Sequence, residues 1–210
     1  MKIALISDTH ELHRSVDLGR CDLLIHAGDW TFFSQRLDQI QDFDEWLQEQ
    51  YAPLGRILCP GNHESYLERD PSLRSLTPNA TVLINEPLNI RGLKVFASPA
   101  TPLFGTAFGI AKAEDRARLY AQIPLDTDIL ITHGPPYGIL DASPEDSHHQ
   151  GCPELLTAVK RVKPKLHVFG HVHSGYGMYR SSDTLFVNAS LLGPHGDIEN
   201  KPIVLTIPEL

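Results

Sequence analysis

The chain has 210 residues and a formal net charge of -8 at pH 7, and its length suits one domain with a full hydrophobic core. We therefore expect a single domain over residues 1–210. The negative charge argues against broad non-specific binding to nucleic acid or to an acidic membrane surface, although a negative total leaves room for a local basic patch.

Cysteine usage and the amino-terminal sequence bear on the cellular compartment. The three cysteines, Cys21, Cys59 and Cys152, form no C-x-x-C pair, which favours free buried thiols in a reducing compartment. The apolar run at residues 3–6 is too short for a secretory signal, and no run approaches the ~20 apolar residues of a membrane span. We expect a soluble, cytoplasmic protein.

The first third of the sequence predicts three buried strands and one helix. Continuous apolar runs that end in polar residues predict strands over residues 2–7, 23–27 and 56–59. Apolar residues three or four positions apart predict a helix over residues 35–51. The charged segment 13–20 is predicted to be a short helix or a loop.

After Pro71 the sequence changes to short strand-like runs separated by turn signals, and we expect antiparallel neighbours here, so that the sheets are mixed. These runs cover residues 81–84, 88–90 and 93–97. The segment 98–109 is rich in Pro, Gly and Phe without a regular period, which predicts an active-site loop. The later elements are predicted as helices over 113–123 and 154–162 and as strands over 129–132, 166–169, 185–187 and 203–207.

Polar clusters follow five of the predicted strands. In chain order they are Asp8-Thr9-His10, Gly28-Asp29, Gly61-Asn62-His63-Glu64, His133-Gly134-Pro135-Pro136 and Gly170-His171-Val172-His173. Because open α/β sheets bind ligands at the carboxyl ends of their strands, we expect these side chains to converge on one cleft. A single cluster would be typical of a capped turn or a buried histidine, whereas five in order indicate a shared site.

The side chains in these clusters are suitable metal ligands. Imidazole, carboxylate and amide oxygen suit divalent ions such as Mn, Fe or Zn, and the clusters contain no cysteine for a thiolate site. Two ions ~3.5–4 Å apart need a shared ligand, and a carboxylate such as that of Asp29 can bridge them.

The clusters match the pattern D-x-H, G-D, G-N-H-[DE], H and G-H-x-H, and the chain resembles the calcineurin-like metallophosphoesterase superfamily from Asp8 to Asn188. The resemblance implies an α/β (α+β mixed) fold, a four-layer sandwich of two mixed β-sheets flanked by helices, with two divalent metal ions at the strand ends. The runs 24–29, 132–136, 175–177 and 187–190 are similar to the small single-domain phosphodiesterases of that superfamily.

The resemblance also implies roles for the carboxylate, amide and imidazole side chains of the clusters. It assigns Asp8, His10, Asp29 and His173 to one metal, and Asp29, Asn62, His133 and His171 to the other. A metal can bring the pKa of bound water to about 7, so that hydroxide attacks phosphorus in line at neutral pH. His63 is implied as a catalytic residue that protonates the leaving alkoxide or stabilises transition-state charge. Glu64 is expected to orient His63 or to support a ligand imidazole.

Two departures from the sequences of related families narrow the range of expected substrates. The resembling Ser/Thr protein phosphatases carry an arginine directly before G-N-H-E and another after the second motif, and both clamp a phosphomonoester dianion. This chain has Pro60 at the first place, and Trp30, Phe32 and Phe33 follow Asp29. Without a guanidinium the usual source of tight dianion binding is lost, so we expect a small phosphodiester such as a cyclic nucleotide or an aryl diester. The aromatic residues suit an organic ester group, or they belong to the core.

Other side chains are assigned to the surroundings of the site. Phe104 and Phe108 are expected to line the pocket mouth as a lid. Asp141 is expected to support the metal ligands from behind or to cap a helix. The pair His148-His149 is assigned to an exposed loop, because adjacent imidazoles rarely converge on one ion.

Two rival functions share these motifs. A nuclease would show a basic track flanked by aromatic residues, which neither the net charge nor the spacing of Lys and Arg indicates. Superfamily members that serve as non-catalytic scaffolds have lost ligands or the histidine after the asparagine, whereas this chain retains His63 and all the implied ligands. Metal identity and oligomeric state are not determined by the sequence.

Overall fold

Two β-sheets form the centre of the fold in the computed structural model, which describes residues 1–102, 106–142, 148–193 and 195–206. The strands, in chain order, are β1 (Lys2–Ile6), β2 (Leu23–His26), β3 (Gly55–Leu58), β4 (Thr81–Val82), β5 (Glu86–Ile90), β6 (Leu93–Ser98), β7 (Thr101–Pro102), β8 (Gly109–Ile110), β9 (Ile129–Thr132), β10 (Leu166–Phe169), β11 (Gly177–Arg180), β12 (Leu185–Asn188) and β13 (Ile203–Thr206).

Both large sheets are mixed, as predicted. The first has the order β13-β1-β2-β3-β4, with β1 to β4 parallel and β13 antiparallel at one edge. The second has the order β11-β12-β10-β9-β6-β5, with a parallel centre and an antiparallel strand at each edge. The carboxyl ends of the parallel strands therefore lie along one edge of each sheet.

The expectation of antiparallel neighbours after Pro71 was right for β5 and β6 but wrong for β4, which pairs with β3 in parallel. The chain between β3 and β4 includes helix α2 (Ser65–Arg69) and the 3-10 helix Pro71–Leu76. This connection is long enough for the crossover that parallel pairing requires.

Helices cover the outer faces of the two sheets. Helix α1 (Leu37–Glu49) buries Ile40, Phe43 and Leu47 against the first sheet. Helices α3 (Ala113–Tyr120) and α4 (Pro153–Val162) pack on the second sheet. Helix α3 ends earlier than the predicted range of 113–123.

The alternation of side chains along the central strands produces separate cores. On β1, Ile3 and Leu5 face the core between the two sheets, whereas Ala4 and Ile6 face the core under α1. On β9, Ile131 joins the core between the sheets, while Leu130 faces α3 and α4. These cores separate four layers in the order helix, sheet, sheet, helix, which confirms the predicted fold class.

Three further sequence predictions can be compared with the fold. Cys21, Cys59 and Cys152 are buried and free, as expected. Among the described residues, no helix has the length and apolar character that a bilayer crossing requires. The segment 98–109, predicted as a loop, includes β7 and the first residue of β8, and these two short strands pair in parallel.

Candidate metal centre

The polar side chains that follow five strands meet at one place between the two sheets. Strands β1, β2 and β3 of the first sheet lead to Asp8 and His10, to Asp29, and to Asn62 and His63. Strands β9 and β10 of the second sheet lead to His133 and to His171 and His173. A backbone hydrogen bond from Gly170 N–H to the His133 carbonyl and another from Asp8 N–H to the Gly28 carbonyl connect these loops.

Three overlapping groups of side chains place metal-ligating atoms within 4.8 Å of one another. One group is Asp8, His10 and His173, and a second is Asp29, His133 and His171. The third joins His10, Asp29 and His63. The first two groups correspond to the two ligand sets that the sequence motifs imply, and the structure therefore brings the implied ligands together.

The buried side of the centre has the shorter distances. Asp29 Oδ2 lies 3.2 Å from His133 Nε2. Asn62 Oδ1 lies 2.7 Å from His133 Nε2 and 2.8 Å from His171 Nδ1. Four potential ligands, Asp29, Asn62, His133 and His171, thus point at one small volume.

The other side of the centre is more open. Asp8 Oδ1 lies 3.6 Å from His173 Nε2, and Asp29 Oδ2 lies 3.8 Å from His10 Nε2. The Nδ1 atom of His10 is buried and has no hydrogen-bond partner among the described residues. Asp29 contacts residues of both sides, which is the position that a bridging carboxylate needs.

The ring of His133 is held in the orientation that a ligand requires. Its Nδ1 lies 3.0 Å from the carbonyl oxygen of Ala27. A backbone carbonyl can only accept a hydrogen bond, so Nδ1 carries a proton and Nε2 is the ring nitrogen that faces Asp29 and Asn62, where a metal would replace its proton. This arrangement is common for metal-bound histidines.

The electrostatics of the centre favour a bound cation. Asp8 and Asp29 are 0% and 2% exposed, and within the described part of the chain no lysine or arginine forms an ion pair with either. Burial raises the pKa of both carboxyls, but hydrogen bonds and charges from the surrounding histidines outweigh burial. The pKa of Asp29 falls to about 2, and the pKa of Asp8 falls below the ordinary range. Two buried carboxylates without a fixed cation fit a divalent metal site.

The two histidines on the buried side have opposite pKa shifts. Burial lowers the pKa of His133, but the charge of Asp29 and the hydrogen bond to it raise the value to about 9. For His171, burial and then the charge of His133 lower the pKa to about 4. The carboxylates therefore hold a positive charge on one imidazole, and a divalent ion would displace that proton on binding.

The backbone at the ligands is strained. Asp8, His10, Asp29 and His171 have φ angles of 54°, 38°, 58° and 67°, in the left-handed region that non-glycine residues rarely adopt. Each such residue costs on the order of 1–3 kcal/mol and persists only where the surrounding contacts enforce it. Strain at four of the implied ligands indicates that the contacts around these turns enforce their shape.

Two glycines of the motifs allow the close approach of the loops. A Cβ atom on Gly61 would lie 2.2 Å from Asp29 Oδ1, and one on Gly170 would lie 2.1 Å from Asp8 Oδ2. Any side chain at these positions would push a ligand carboxylate away. The glycines of G-N-H-E and G-H-x-H are therefore required by packing against the ligands.

Glu64 supports the centre in a different way from the one expected. Its carboxylate is fully buried and accepts hydrogen bonds from the backbone N–H groups of Asp29, Thr31 and Gly61 and from the Thr31 hydroxyl, and in the described part of the chain no imidazole donates to it. Burial and the charge of Asp29 raise the pKa of Glu64 to about 7. Glu64 thus holds together the two loops that carry Asp29 and Asn62.

His63 lies beside the ligands, at the edge of the cavity. Its Nε2 is 3.9 Å from Asp29 Oδ2, and its side chain is 14% exposed. Its backbone N–H donates a hydrogen bond to Asp29 Oδ1 at 2.8 Å. Burial, with the charge of His10, lowers the pKa of the imidazole below its usual value, although Asp29 opposes that shift.

A cavity of about 450 Å³ opens onto the centre. Its polar wall consists of His10, Asp29, Asn62, His63, His171 and His173, and the rest consists of Leu12, Phe32, Leu192 and Gly196. The sequence motifs did not identify Leu12, Leu192 or Gly196, because these residues have no polar side chain and lie outside the five polar clusters. A hollow of about 460 Å³ elsewhere, beside α4 and β12, contains none of the metal-site residues.

The expected role of Trp30 in the substrate pocket was wrong. Trp30 is fully buried and stacks on Phe43 of α1, with ring centroids 5.7 Å apart and planes 5° from parallel. Phe32, two residues later, is 54% exposed and lines the cavity. The aromatic residues after Asp29 were expected either to contact the organic group of a substrate or to belong to the core. Trp30 belongs to the core, and Phe32 lines the cavity.

The expected lid is not supported at Phe108. Phe108 is half-buried against the core under α1, its backbone N–H donates to Glu68, and it does not line the cavity. Phe104 lies outside the described residues.

Asp141 has neither of its expected roles. It accepts hydrogen bonds from the backbone N–H groups of Gly138 at 2.8 Å and Gly151 at 3.0 Å, and it pairs with His149 at 2.7 Å. Among the described residues, these contacts connect Asp141 to Gly138, His149 and Gly151, and none of them supports an implied metal ligand or caps a helix. His148 and His149 are exposed, as predicted.

Comparison with known proteins agrees with this geometry. Residues 1–175 match the family model described as calcineurin-like phosphoesterase. The human "Metallophosphoesterase domain-containing protein 1" is 34% identical over 233 aligned residues, which cover 99% of this chain and 71% of that protein. A UPF0046 protein from Caenorhabditis elegans is 33% identical, with 100% of this chain and 76% of that protein covered.

A solved structure supports the fold. The crystal structure of TT1561 of Thermus thermophilus superposes with a TM-score of 0.61 at 16% identity, over 89% of this chain and 88% of that one. Together with the family match and the ligand geometry, this shows that the chain belongs to the calcineurin-like phosphoesterase family and is a metal-dependent phosphoester hydrolase.

Proposed function

We propose that the protein is a phosphodiesterase that uses two divalent metal ions per chain. The observation that carries this proposal is the composition of the cavity: among its described lining residues there is no lysine or arginine. A phosphomonoester dianion is usually held by a guanidinium that binds two of its oxygens. A phosphodiester has one negative charge and a second organic group, so it needs less cationic contact and more apolar surface.

The apolar part of the cavity suits the organic groups of a diester. Leu12, Phe32 and Leu192 lie next to the ligand side chains, and Phe32 is more than half exposed. An aromatic ring in this position can stack on a nucleobase or on an aryl group. A cyclic nucleotide or an aryl diester is therefore the preferred substrate class.

The proposed metal ligands follow the two groups of side chains. Asp8, His10 and His173 would hold one ion, and Asn62, His133 and His171 the other, with Asp29 shared between them. The ligand set suits Mn, Fe or Zn. When bound, a metal pair of this kind supplies charge neutralisation at the phosphate and lowers the pKa of water.

The proposed role of His63 is to supply a proton to the leaving alkoxide. His63 lines the cavity, and its Nε2 points towards Asp29. General acid catalysis by a positioned histidine contributes ~10²- to 10⁴-fold to a rate. The complete set of ligand side chains, together with His63, supports an enzyme over a scaffold that has lost its chemistry.

The test is a substrate panel on metal-stripped protein reconstituted with Mn²⁺ or Zn²⁺. The panel contains bis(4-nitrophenyl) phosphate, 4-nitrophenyl phosphate, and 2′,3′- and 3′,5′-cyclic AMP. We expect a higher kcat/KM for a diester than for the monoester, and we expect Asp29→Asn to abolish both activities. A clear preference for the monoester would contradict the diesterase proposal, and no turnover with any metal would favour a binding scaffold.

A further inference from the structure

Two phenylalanine rings stand at the metal centre on the turn that follows Asp29. Phe32 and Phe33 are 54% and 41% exposed, although Trp30 on the same turn is fully buried. The ring of Phe33 stacks on the imidazole of His63, with centroids 4.1 Å apart and planes inclined by 26°. Phe33 is not among the residues that line the cavity, so its contact with the centre is made through His63.

The imidazole of His63 is oriented by ring packing instead of by hydrogen bonds. Its Nδ1 is buried without a hydrogen-bond partner among the described residues, and its Nε2 lies 3.9 Å from the nearest Asp29 oxygen. Histidines with a function are commonly held by a hydrogen bond at one ring nitrogen. Here the close neighbours are His10, edge-on at 4.5 Å, and Phe33, stacked on the ring.

The turn that carries Phe33 is strained and firmly attached. Phe33 and Ser34 have φ angles of 62° and 53°, which are unfavourable for non-glycine residues, most of all for one as bulky as Phe33, and persist where surrounding contacts enforce them. The Ser34 hydroxyl donates to the His63 carbonyl oxygen at 2.6 Å. The backbone N–H of Phe32 donates to Glu11 at 2.8 Å. The turn is thus tied to the loop of His63 and to the loop after His10.

We propose that Phe33 is a positioning residue that holds the imidazole plane of His63 so that Nε2 stays directed at the metal centre. The effect on catalysis rests on the proposed function of His63. The stacked ring restricts rotation of the imidazole and excludes water from one of its faces. Phe33 makes no contact with substrate in this role.

The kinetic test uses Phe33→Ala and Phe33→Tyr, of which only the second keeps the stacked ring. We expect Phe33→Ala to lower kcat for an aryl phosphodiester by ~10- to 100-fold, the scale of a misplaced catalytic group, while KM stays within about twofold. The Phe33→Tyr variant should keep most of the wild-type kcat. The loss should be larger for phenyl than for 4-nitrophenyl leaving groups, because the poorer leaving group depends more on protonation. The control variant is Leu37→Ala, because Leu37 is an apolar residue of α1 that is 64% exposed. This variant should change neither kcat nor KM.

A double-mutant cycle shows whether Phe33 acts through His63. Phe33→Ala should have no further effect in a His63→Ala background. An equal loss in both backgrounds would overturn the proposal. Metal content should be the same in all the variants, and a loss of metal with Phe33→Ala would also overturn it.

A measurement on metal-free protein separates this proposal from the proposed function. The stacked phenyl ring shields the Cε1–H proton of His63, so Phe33→Ala should shift its NMR signal downfield while Phe33→Tyr should not. An unchanged signal would overturn the positioning role even in an active enzyme. A shifted signal in a protein without phosphodiesterase activity would support the contact and contradict only the proposed reaction.

Discussion

Glu64 Oε2 accepts a hydrogen bond from the backbone N–H of Asp29 at 2.8 Å, and the two residues belong to loops that follow neighbouring parallel strands. The same oxygen accepts from Gly61 N–H at 2.7 Å. A single buried carboxylate thus fixes the turn that presents the Asp29 carboxylate and the turn that presents Asn62. The acidic residue of G-N-H-E is a structural part of the metal centre.

Replacement of Glu64 tests this function. Glu64→Ala leaves several buried N–H groups without an acceptor, at about 1–3 kcal/mol each, and should lower both the free energy of unfolding and the affinity for metal. Glu64→Gln keeps one oxygen acceptor and should have a smaller effect on both. Urea unfolding and metal titration of the two variants provide the comparison. A Glu64→Ala protein with unchanged metal affinity would contradict the role assigned here.

The close approach of Gly61 to Asp29 gives a second prediction. Gly61→Ala places a Cβ atom 2.2 Å from Asp29 Oδ1, so it should displace the carboxylate and reduce bound metal. Gly134→Ala is the matched control, because it also adjoins an implied ligand, His133, but its Cβ atom would meet only the Thr101 side chain, with the methyl group at 3.2 Å. Metal analysis after dialysis should show a clear loss for the first variant and near-normal content for the second. Equal metal content in both would show that the carboxylate has room to move.

The buried His167 predicts a dependence of stability on pH. Burial lowers the pKa of His167 from 6.5 to about 3 in the folded protein, where its Nε2 lies 2.9 Å from the Thr132 hydroxyl. Between these pH values the unfolded chain binds a proton that the folded chain does not. Acidification through this window therefore removes about 1.4 kcal/mol of unfolding free energy per pH unit, whereas above pH 6.5 the contribution is constant.

His167→Asn removes this titration and keeps a polar side chain beside Thr132. Below pH 6.5 we expect the unfolding free energy of the metal-free variant to fall less steeply with acidification than that of the wild type. The difference between the two slopes should correspond to the uptake of about one proton on unfolding. Urea unfolding at several pH values between about 4.5 and 7.5 measures the slope. Parallel slopes for the two proteins would mean that His167 is protonated in the folded state.

The sequence predicts the strands that carry the metal ligands because buried parallel strands are continuous apolar runs. The predicted ranges 129–132 and 166–169 coincide with β9 and β10. Strand β11 was not predicted, because Gly177–Arg180 is an edge strand with exposed side chains and no apolar run. The direction of β4 depended on how the chain crosses between strands, which local patterns do not encode.

The contacts of the residues around the implied ligands were harder to predict than the convergence of the implied ligands themselves. Trp30 and Phe32 are two positions apart, yet the turn between them sends one ring into the core and the other into the cavity. Glu64 follows His63 directly, but its side chain turns inward to backbone N–H groups. Successive residues of a turn point in different directions, so a polar cluster in sequence does not show which members share a cleft.

The most direct test of the central claim is the metal stoichiometry of the protein. Metal-stripped wild type titrated with Mn²⁺ in a calorimeter should bind two ions per chain. His133→Ala and His173→Ala, one from each group of ligands, should each lose one of the two binding events, and Asp29→Ala should disrupt both. Binding of fewer than two ions to the wild type, or identical titrations of the wild type and these variants, would contradict the proposal that these side chains form one two-metal centre.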